Sequence, residues 1–205
     1  MIRGASVLCL CTAALAFAQP GTARSATETF KVDPAHTYPG FGVLHLGIST
    51  QRGRFERTAG HIALDRGART GEIVIEIETT SLSTGNFVLD KALRGEDFFN
   101  VERFPRMVFQ SQRLEFERDV PRHAVGELTL LGVTRPVTLT IERFGCTRKP
   151  LLIRTTCGAD VSTTISRSAF GMTNYLAWIA DDVRIDIQIE AVKEEAAVEP
   201  APSGG

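Results

Sequence analysis

The chain has 205 residues, a formal charge of −1 at pH 7, 23% charged residues and 7% aromatic residues. Neither a basic block nor interleaved basic and aromatic residues occurs, which argues against nucleic acid as a partner. The fold-forming part, roughly 165 residues, suits one domain with a sizeable core.

Residues 1–18 read as a secretory signal peptide: Arg3 supplies a positive start, Ala5–Ala18 is uncharged and mostly apolar, and Ala16-Phe17-Ala18 offers a small-x-small cleavage site. The stretch is shorter than the roughly 20 apolar residues of a spanning helix. Neither Cys9 nor Cys11 follows a convincing lipobox. Residues 19–28 form a leader, and export to the periplasm with no membrane span in the mature chain is expected.

From residue 29 onward, alternation dominates. Ile73, Ile75 and Ile77 share one face of a strand whose other face carries Glu72, Glu76 and Glu78. Val137, Leu139 and Ile141 alternate with Thr138, Thr140 and Glu142, and Val183, Ile185, Ile187 and Ile189 with Arg184, Asp186, Gln188 and Glu190. This period of two predicts strands with one wet and one buried face. Weaker signals cover Thr29–Val32, Gly40–Gly47, Arg54–Ala63, Met107–Phe116, Ala124–Leu131 and Ile153–Ile165. The fold class is all-β, with about eight antiparallel strands. A sheet of that size must close, split into a sandwich or expose its edges, and a closed up-and-down barrel fits the long apolar faces at least as well as a sandwich. Between strands, Asn86 is a candidate N-cap for a short helix carrying Val88, Leu89, Ala92 and Leu93, which Gly95 ends.

Cys146 and Cys157 are the cysteines left after removal of the signal peptide. A turn centred near Leu151-Leu152 would set them opposite each other on paired strands. An exported chain favours a structural disulfide over two free thiols. Residues 194–205, acidic and then rich in Ala, Pro and Gly, are expected to be a disordered tail.

His45 shares a strand face with Phe41 and Val43, as either a core histidine or a donor to a ligand. It has no neighbouring histidine at metal-ligating spacing. Arg167 ends a largely uncharged strand face, either pairing with Asp33, Asp90 or Asp97 or awaiting an anionic group. Phe41, Phe98, Phe99, Phe104, Phe109, Phe170, Tyr175 and Trp178 make up a large aromatic stock for a packed core or a lined lumen. No G-x-S-x-G elbow and no cysteine nucleophile with a nearby histidine occurs. No metal or catalytic cofactor is expected.

Six short motifs recur in order: Val32-Asp33-Pro34-Ala35-His36; Phe41-Gly42-Val43-Leu44-His45-Leu46-Gly47; Gly53-Arg54-Phe55; Leu93 to Phe99 followed by Phe104-Pro105; Gly126 to Val137; and Thr163 to Met172. In this order and spacing, from about Thr29 to Ala191, the chain resembles the YceI-like family of periplasmic lipid-binding proteins. The resemblance implies an extended lipocalin-like barrel whose lumen holds a long isoprenoid chain such as a polyprenyl or quinone tail. The early Gly-x-Trp of lipocalins proper is missing, so that likeness is architectural. The expected lining comprises Phe41, Val43, His45, Ile75, Phe98, Phe99, Phe109, Leu139, Arg167, Phe170 and Trp178, with His45 and Arg167 at the ligand head. Two rival readings stay open: an enzyme acting on a prenyl or amide substrate through His45, with Asp90 or Asp97 as its partner, and a stress-related structural protein with a filled barrel. A homodimer is also open.

Overall fold

The computed structural model describes residues 26–149 and 154–195. The expected signal peptide, the turn at Leu151-Leu152 and nearly all of the expected tail lie outside them.

Eleven strands form one antiparallel sheet that closes on itself: β1 (Glu28–Val32), β2 (Tyr38–His45), β3 (Ser49–Phe55), β4 (Thr58–Asp65), β5 (Thr70–Glu78), β6 (Leu82–Ser83), β7 (Arg106–Glu117), β8 (Val120–Leu130), β9 (Val133–Lys149), β10 (Arg154–Ser166) and β11 (Ile179–Lys193). Their order reduces to eight staves, because β1 and β2, β3 and β4, and β5 and β6 are the two halves of three broken staves. Stave neighbours are sequence neighbours, and pairing of β1 and β2 with β11 closes the ring. A single strand over Arg54–Ala63 was expected. Instead Glu56 and Arg57 interrupt it, and the segment Ser49–Gly53, which lay outside the expected strands, extends it as β3.

Side-chain hydroxyls supply the hydrogen bonds that these breaks remove from the ladder. Thr37 Oγ1 donates to the Glu190 carbonyl and accepts from the Glu190 amide, both at 3.2 Å. Ser81 Oγ accepts from the Glu56 and Arg57 amides at 3.1 and 3.0 Å and donates to the Glu78 carbonyl at 2.6 Å. Thr37 and Ser81 are both buried. Backbone groups buried without partners would cost about 1–3 kcal/mol each, so the corners depend on these hydroxyls.

The helix α1 spans Phe87–Arg94, and the Asn86 side chain caps it by accepting from the Val88 and Leu89 amides, as the sequence predicts. Arg94 Nη2 donates to the Leu82 carbonyl and ties the last turn to β6. Among the described residues no helix is long and apolar enough to cross a membrane.

The barrel has two unlike ends. Phe30, Leu64, Phe109, Leu114, Ala124, Cys157 and Ala191 pack into a buried cluster towards one of them. Cys146 and Cys157 face each other across β9 and β10 near that end and are disulfide-bonded. The other end carries the β2–β3 and β8–β9 turns, α1 and the 167–178 connection between β10 and β11. A second cluster lies towards it, including Phe55, Ile77, Leu82, Met107, Ile165 and Phe170.

Candidate functional site: an apolar lumen open at one end

Alternation along the staves points every second side chain inward. In the lumen Val43 pairs with Val183, Phe41 with Ile185 and Pro39 with Ile187. Leu128 and Leu130 from β8, Val137 and Leu139 from β9, and Thr163 and Ile165 from β10 continue the lining. Val183, Ile185 and Ile187 are only partly buried although they face inward. Their inner surface borders empty space, a cavity of about 530 Å³. Small-molecule sites typically fall between about 300 and 1,000 Å³.

One wall near the opening is aromatic. Phe41, Phe55 and Phe99 form a trio with ring centroids 5.4–6.1 Å apart. Phe99 comes from the segment after α1, where its amide donates to the Leu93 carbonyl at 3.0 Å. The backbone of Gly53 lies directly beneath the Phe41 ring, and a Cβ there would come within 2.5 Å of it. Leu89, Ala92 and Leu93 turn the apolar face of α1 into the cavity, so the helix is part of its wall.

Eight of the expected lining residues border the cavity: Phe41, Val43, His45, Phe98, Phe99, Phe109, Leu139 and Arg167. Three do not. Ile75 and Phe170 are buried within solid core. The strand pattern gives the inward face of Ile75 correctly, but not that packed side chains fill the space in front of it. Phe170 sits in a 3₁₀ turn (Ser168–Phe170) that ends at Gly171, whose φ of 89° favours glycine. Trp178 is largely exposed on the 167–178 connection, beside Tyr175, which in turn stacks on Phe98. Sequence reasoning missed Leu89, Ala92 and the β3 residues Gln51 and Arg52, which also line the space. The helical spacing of Leu89 and Ala92 was the available signal.

His45 borders the cavity near the opening, and its ring has no hydrogen-bond partner among the described residues. Asp90 and Asp97, the expected partners for a catalytic histidine, are engaged elsewhere. Asp90 Oδ1 accepts from the Thr84 amide and hydroxyl, both at 2.7 Å. Asp97 accepts from Asn174 Nδ2 at 2.9 Å and from the Tyr175 hydroxyl at 3.0 Å. The bond to Asp97 raises the Tyr175 phenol above its usual range.

Arg167 is 3% exposed, and the expected ion pair with Asp33, Asp90 or Asp97 does not form. Its guanidinium instead donates to four backbone carbonyls: Met172 at 2.8 Å, and Asn174, Ile179 and Ala180 at 2.9 Å. It thus fastens the 167–178 connection to the start of β11. Burial draws the guanidinium below its ordinary value, while the nearby Asp181 carboxylate opposes that shift. Asp181 is itself held low, first by the Ser166 hydroxyl and then by the Ser168 amide. Four occupied N–H groups leave one of five for anything in the lumen.

Among the described residues one trio of metal-ligand type, Asp33, His36 and Glu190, converges at the β1–β2 corner. Only His36 of the three is exposed, and none of them borders the cavity.

An eight-stave antiparallel barrel, filled by a core cluster towards one end and enclosing an apolar space towards the other, defines a lipocalin-like barrel with a lumen. More particularly, the chain belongs to the YceI family: the YceI-like domain model matches residues 30–191. A UPF0312 protein of Pectobacterium atrosepticum is 30% identical over 185 residues, covering 90% of this chain and 95% of that one. Protein YceI of Salmonella arizonae is 29% identical over 177 residues, covering 85% and 92%. Among solved structures, the YCEI protein of Campylobacter jejuni superposes with a TM-score of 0.64 at 25% identity, covering 74% of this chain and 90% of that one. Two more distant barrels share the fold. Burkholderia cenocepacia BcnA has a TM-score of 0.65 at 21% identity, covering 78% and 98%. A polyisoprenoid binding domain from Saccharophagus degradans has a TM-score of 0.56 at 14% identity, covering 80% and 98%.

Proposed function

We propose that this protein binds one long apolar lipid of the isoprenoid class in its lumen, acting as a periplasmic carrier after removal of a signal peptide near Ala18. The observation that carries the reading is the cavity of about 530 Å³, walled by aliphatic and aromatic side chains with His45 and Arg167 near its opening. Family membership and the polyisoprenoid-binding neighbour support it. A hydrocarbon chain suits such a wall, because each buried CH₂ contributes roughly 0.8 kcal/mol without needing a hydrogen bond. Binding is favoured over catalysis because both carboxylates that could make His45 a general base are already bonded to other groups.

The test is a homologous series of polyprenols of increasing length. Transfer energies set an upper limit of roughly 4 kcal/mol per five-carbon unit. The efficiency of large ligands, about 0.3 kcal/mol per atom, sets a lower limit near 1.5 kcal/mol. Affinity should therefore rise at least about tenfold per unit until the lumen is full, then level off. Val43→Trp should abolish binding while leaving the barrel folded. Affinity independent of chain length would overturn the reading, and conversion of the bound lipid that His45→Ala abolishes would establish the enzyme in its place.

A further inference from the structure

Charge is distributed very unevenly between the two ends of the barrel. Four runs form the staves and connections at the open end: residues 39–51, 79–89, 128–134 and 168–180. None contains an Asp, Glu, Lys or Arg, in a chain that is 23% charged. The opposite end holds Arg66, Arg69, Glu117, Arg118, Asp119, Arg122, Arg148 and Arg154. Solubility alone gives no reason to strip one end of charge.

Three of the uncharged runs expose large apolar side chains. Ile48 is 80% exposed, Phe87 78% and Trp178 59%, with Leu44, Leu46, Val88 and Leu176 beside them in sequence. The topology brings the runs together. The Leu46 amide donates to the Trp178 carbonyl at 2.6 Å, His45 pairs with Ile179, and β6 leads along β3 towards the same end and into α1. Val88 is both exposed and part of the cavity wall, so the apolar rim is continuous with the lumen. The insertion does bring charges to this end. Asp90, Arg94 and Asp97 are bonded to neighbouring groups, whereas Lys91 and Glu96 remain exposed with opposite charges, as do Glu102 and Arg103. Arg52 borders the cavity just inside the rim with its guanidinium on the Thr50 carbonyl.

Leu46 adds an independent observation. It occupies the first central position of the tight β2–β3 turn with φ 54°, followed by Gly47 at φ 70°. Such turns favour Asn or Gly, and a leucine side chain there is a local cost. The turn thus holds a leucine out in solvent at a position where an asparagine would sit more easily.

We propose that the rim is a membrane-docking surface: the open end of the barrel seats on a lipid bilayer, and the lumen exchanges its ligand directly with the hydrocarbon. The uncharged runs of the rim can leave water without a desolvated ion while the charges of the insertion stay at the headgroup level, where aromatic residues also settle. Attachment is apolar, so neutral bilayers suffice and salt has little effect. The proposal rests on the lipid-binding reading for its purpose, but docking and ligand retention are separable measurements.

Trp178, the chain's only tryptophan, is a native reporter at the rim. On adding phosphatidylcholine vesicles, its emission should shift to the blue, brominated lipid should quench it, and the protein should float with the vesicles. Adding phosphatidylglycerol or salt should change the affinity little. Ile48→Asn with Phe87→Ser should weaken vesicle binding roughly tenfold or more. Neither residue borders the cavity, so polyprenol retention in solution should stay at the wild-type level. Leu46→Asn should weaken vesicle binding while melting no lower than wild type, a pairing that a folding defect cannot produce. Unchanged Trp178 emission without flotation, or variants that bind vesicles like wild type, would overturn the proposal. So would concentration-dependent dimerisation lost in the variants with no vesicle binding, which would make the rim a contact between two copies. If vesicle binding stands while polyprenol retention fails, the docking surface survives and the ligand assignment does not.

Discussion

Replacing Arg167 by leucine separates two roles for this side chain, fastening the loop or holding a ligand. Hydrogen bonds involving a charged group contribute about 1.5–3 kcal/mol each, so four simply added would give roughly 6–12 kcal/mol. Two effects reduce that. Taking a guanidinium out of water costs several kcal/mol, which leucine avoids. The bonds to the Asn174, Ile179 and Ala180 carbonyls are only part-buried, so water can replace them, whereas the bond to Met172 is buried outright. One fully orphaned carbonyl and three partly hydrated ones give an expected loss of about 2–4 kcal/mol. At about 2–4 °C per kcal/mol for a domain of this size, the melting temperature should fall by roughly 5–15 °C. Arg167→Lys should recover only part of this, because an ammonium lacks the planar fork that reaches four carbonyls. Urea unfolding of lipid-free protein measures the loss, and the near-ultraviolet dichroism of Trp178 reports whether the connection stays in place. If Arg167→Leu unfolds at the wild-type midpoint but no longer retains lipid, the residue anchors a ligand and the fastening role is wrong.

Asp181→Asn should destabilise the protein with a defined pH dependence. The carboxyl is held below its ordinary value by Ser166 and Ser168. Its contribution is therefore complete above the unfolded pKa of about 4 and is lost as pH falls through the folded value. Stability of wild type and variant should differ by a constant amount from pH 5 to 8 and converge below about pH 4; a gap that widens in acid would contradict the assignment. The disulfide between Cys146 and Cys157 closes a loop between residues eleven apart in sequence, and reducing it should cost about 2–3 kcal/mol in the chain-entropy model. Because the bridge lies far from the open end, polyprenol affinity measured below the unfolding transition should not change.

The staves were legible because the rule that sets them is local. Ile73, Ile75 and Ile77 alternate with glutamates whatever the rest of the chain does, and Asn86 caps α1 with its own side chain. The breaks were less legible. Ser49–Gly53 has no apolar face, and it pairs because β2 lies beside it, which is a tertiary fact. At the site, strand parity gave Phe41, Val43, Phe109 and Leu139 their direction but not their distance from the lumen, so Ile75 reads like its neighbours although packed side chains separate it from the cavity. Arg167 was visible as an unusual residue, yet its partners are backbone carbonyls, which carry no sequence signature. The same holds for Trp178, whose exposure depends on the path of the 167–178 connection.

The closing seam has a consequence for how the barrel assembles. Every stave contact but one joins sequence neighbours and can zip as a hairpin. The exception joins β11 to β1 and β2, and the ion pair of Glu28 with Lys193 spans 165 positions. Closing such a loop in a bare chain would cost on the order of 4–5 kcal/mol in its length-dependent part. After seven hairpin contacts have curled the sheet, the two edges already face each other and most of that cost is gone. Closure should therefore be a late step, preceded by a curled open sheet with two unpaired edges. On β11 that edge alternates apolar residues with Arg184, Asp186 and Glu190, and charges of this kind discourage a second chain from pairing there before the seam shuts.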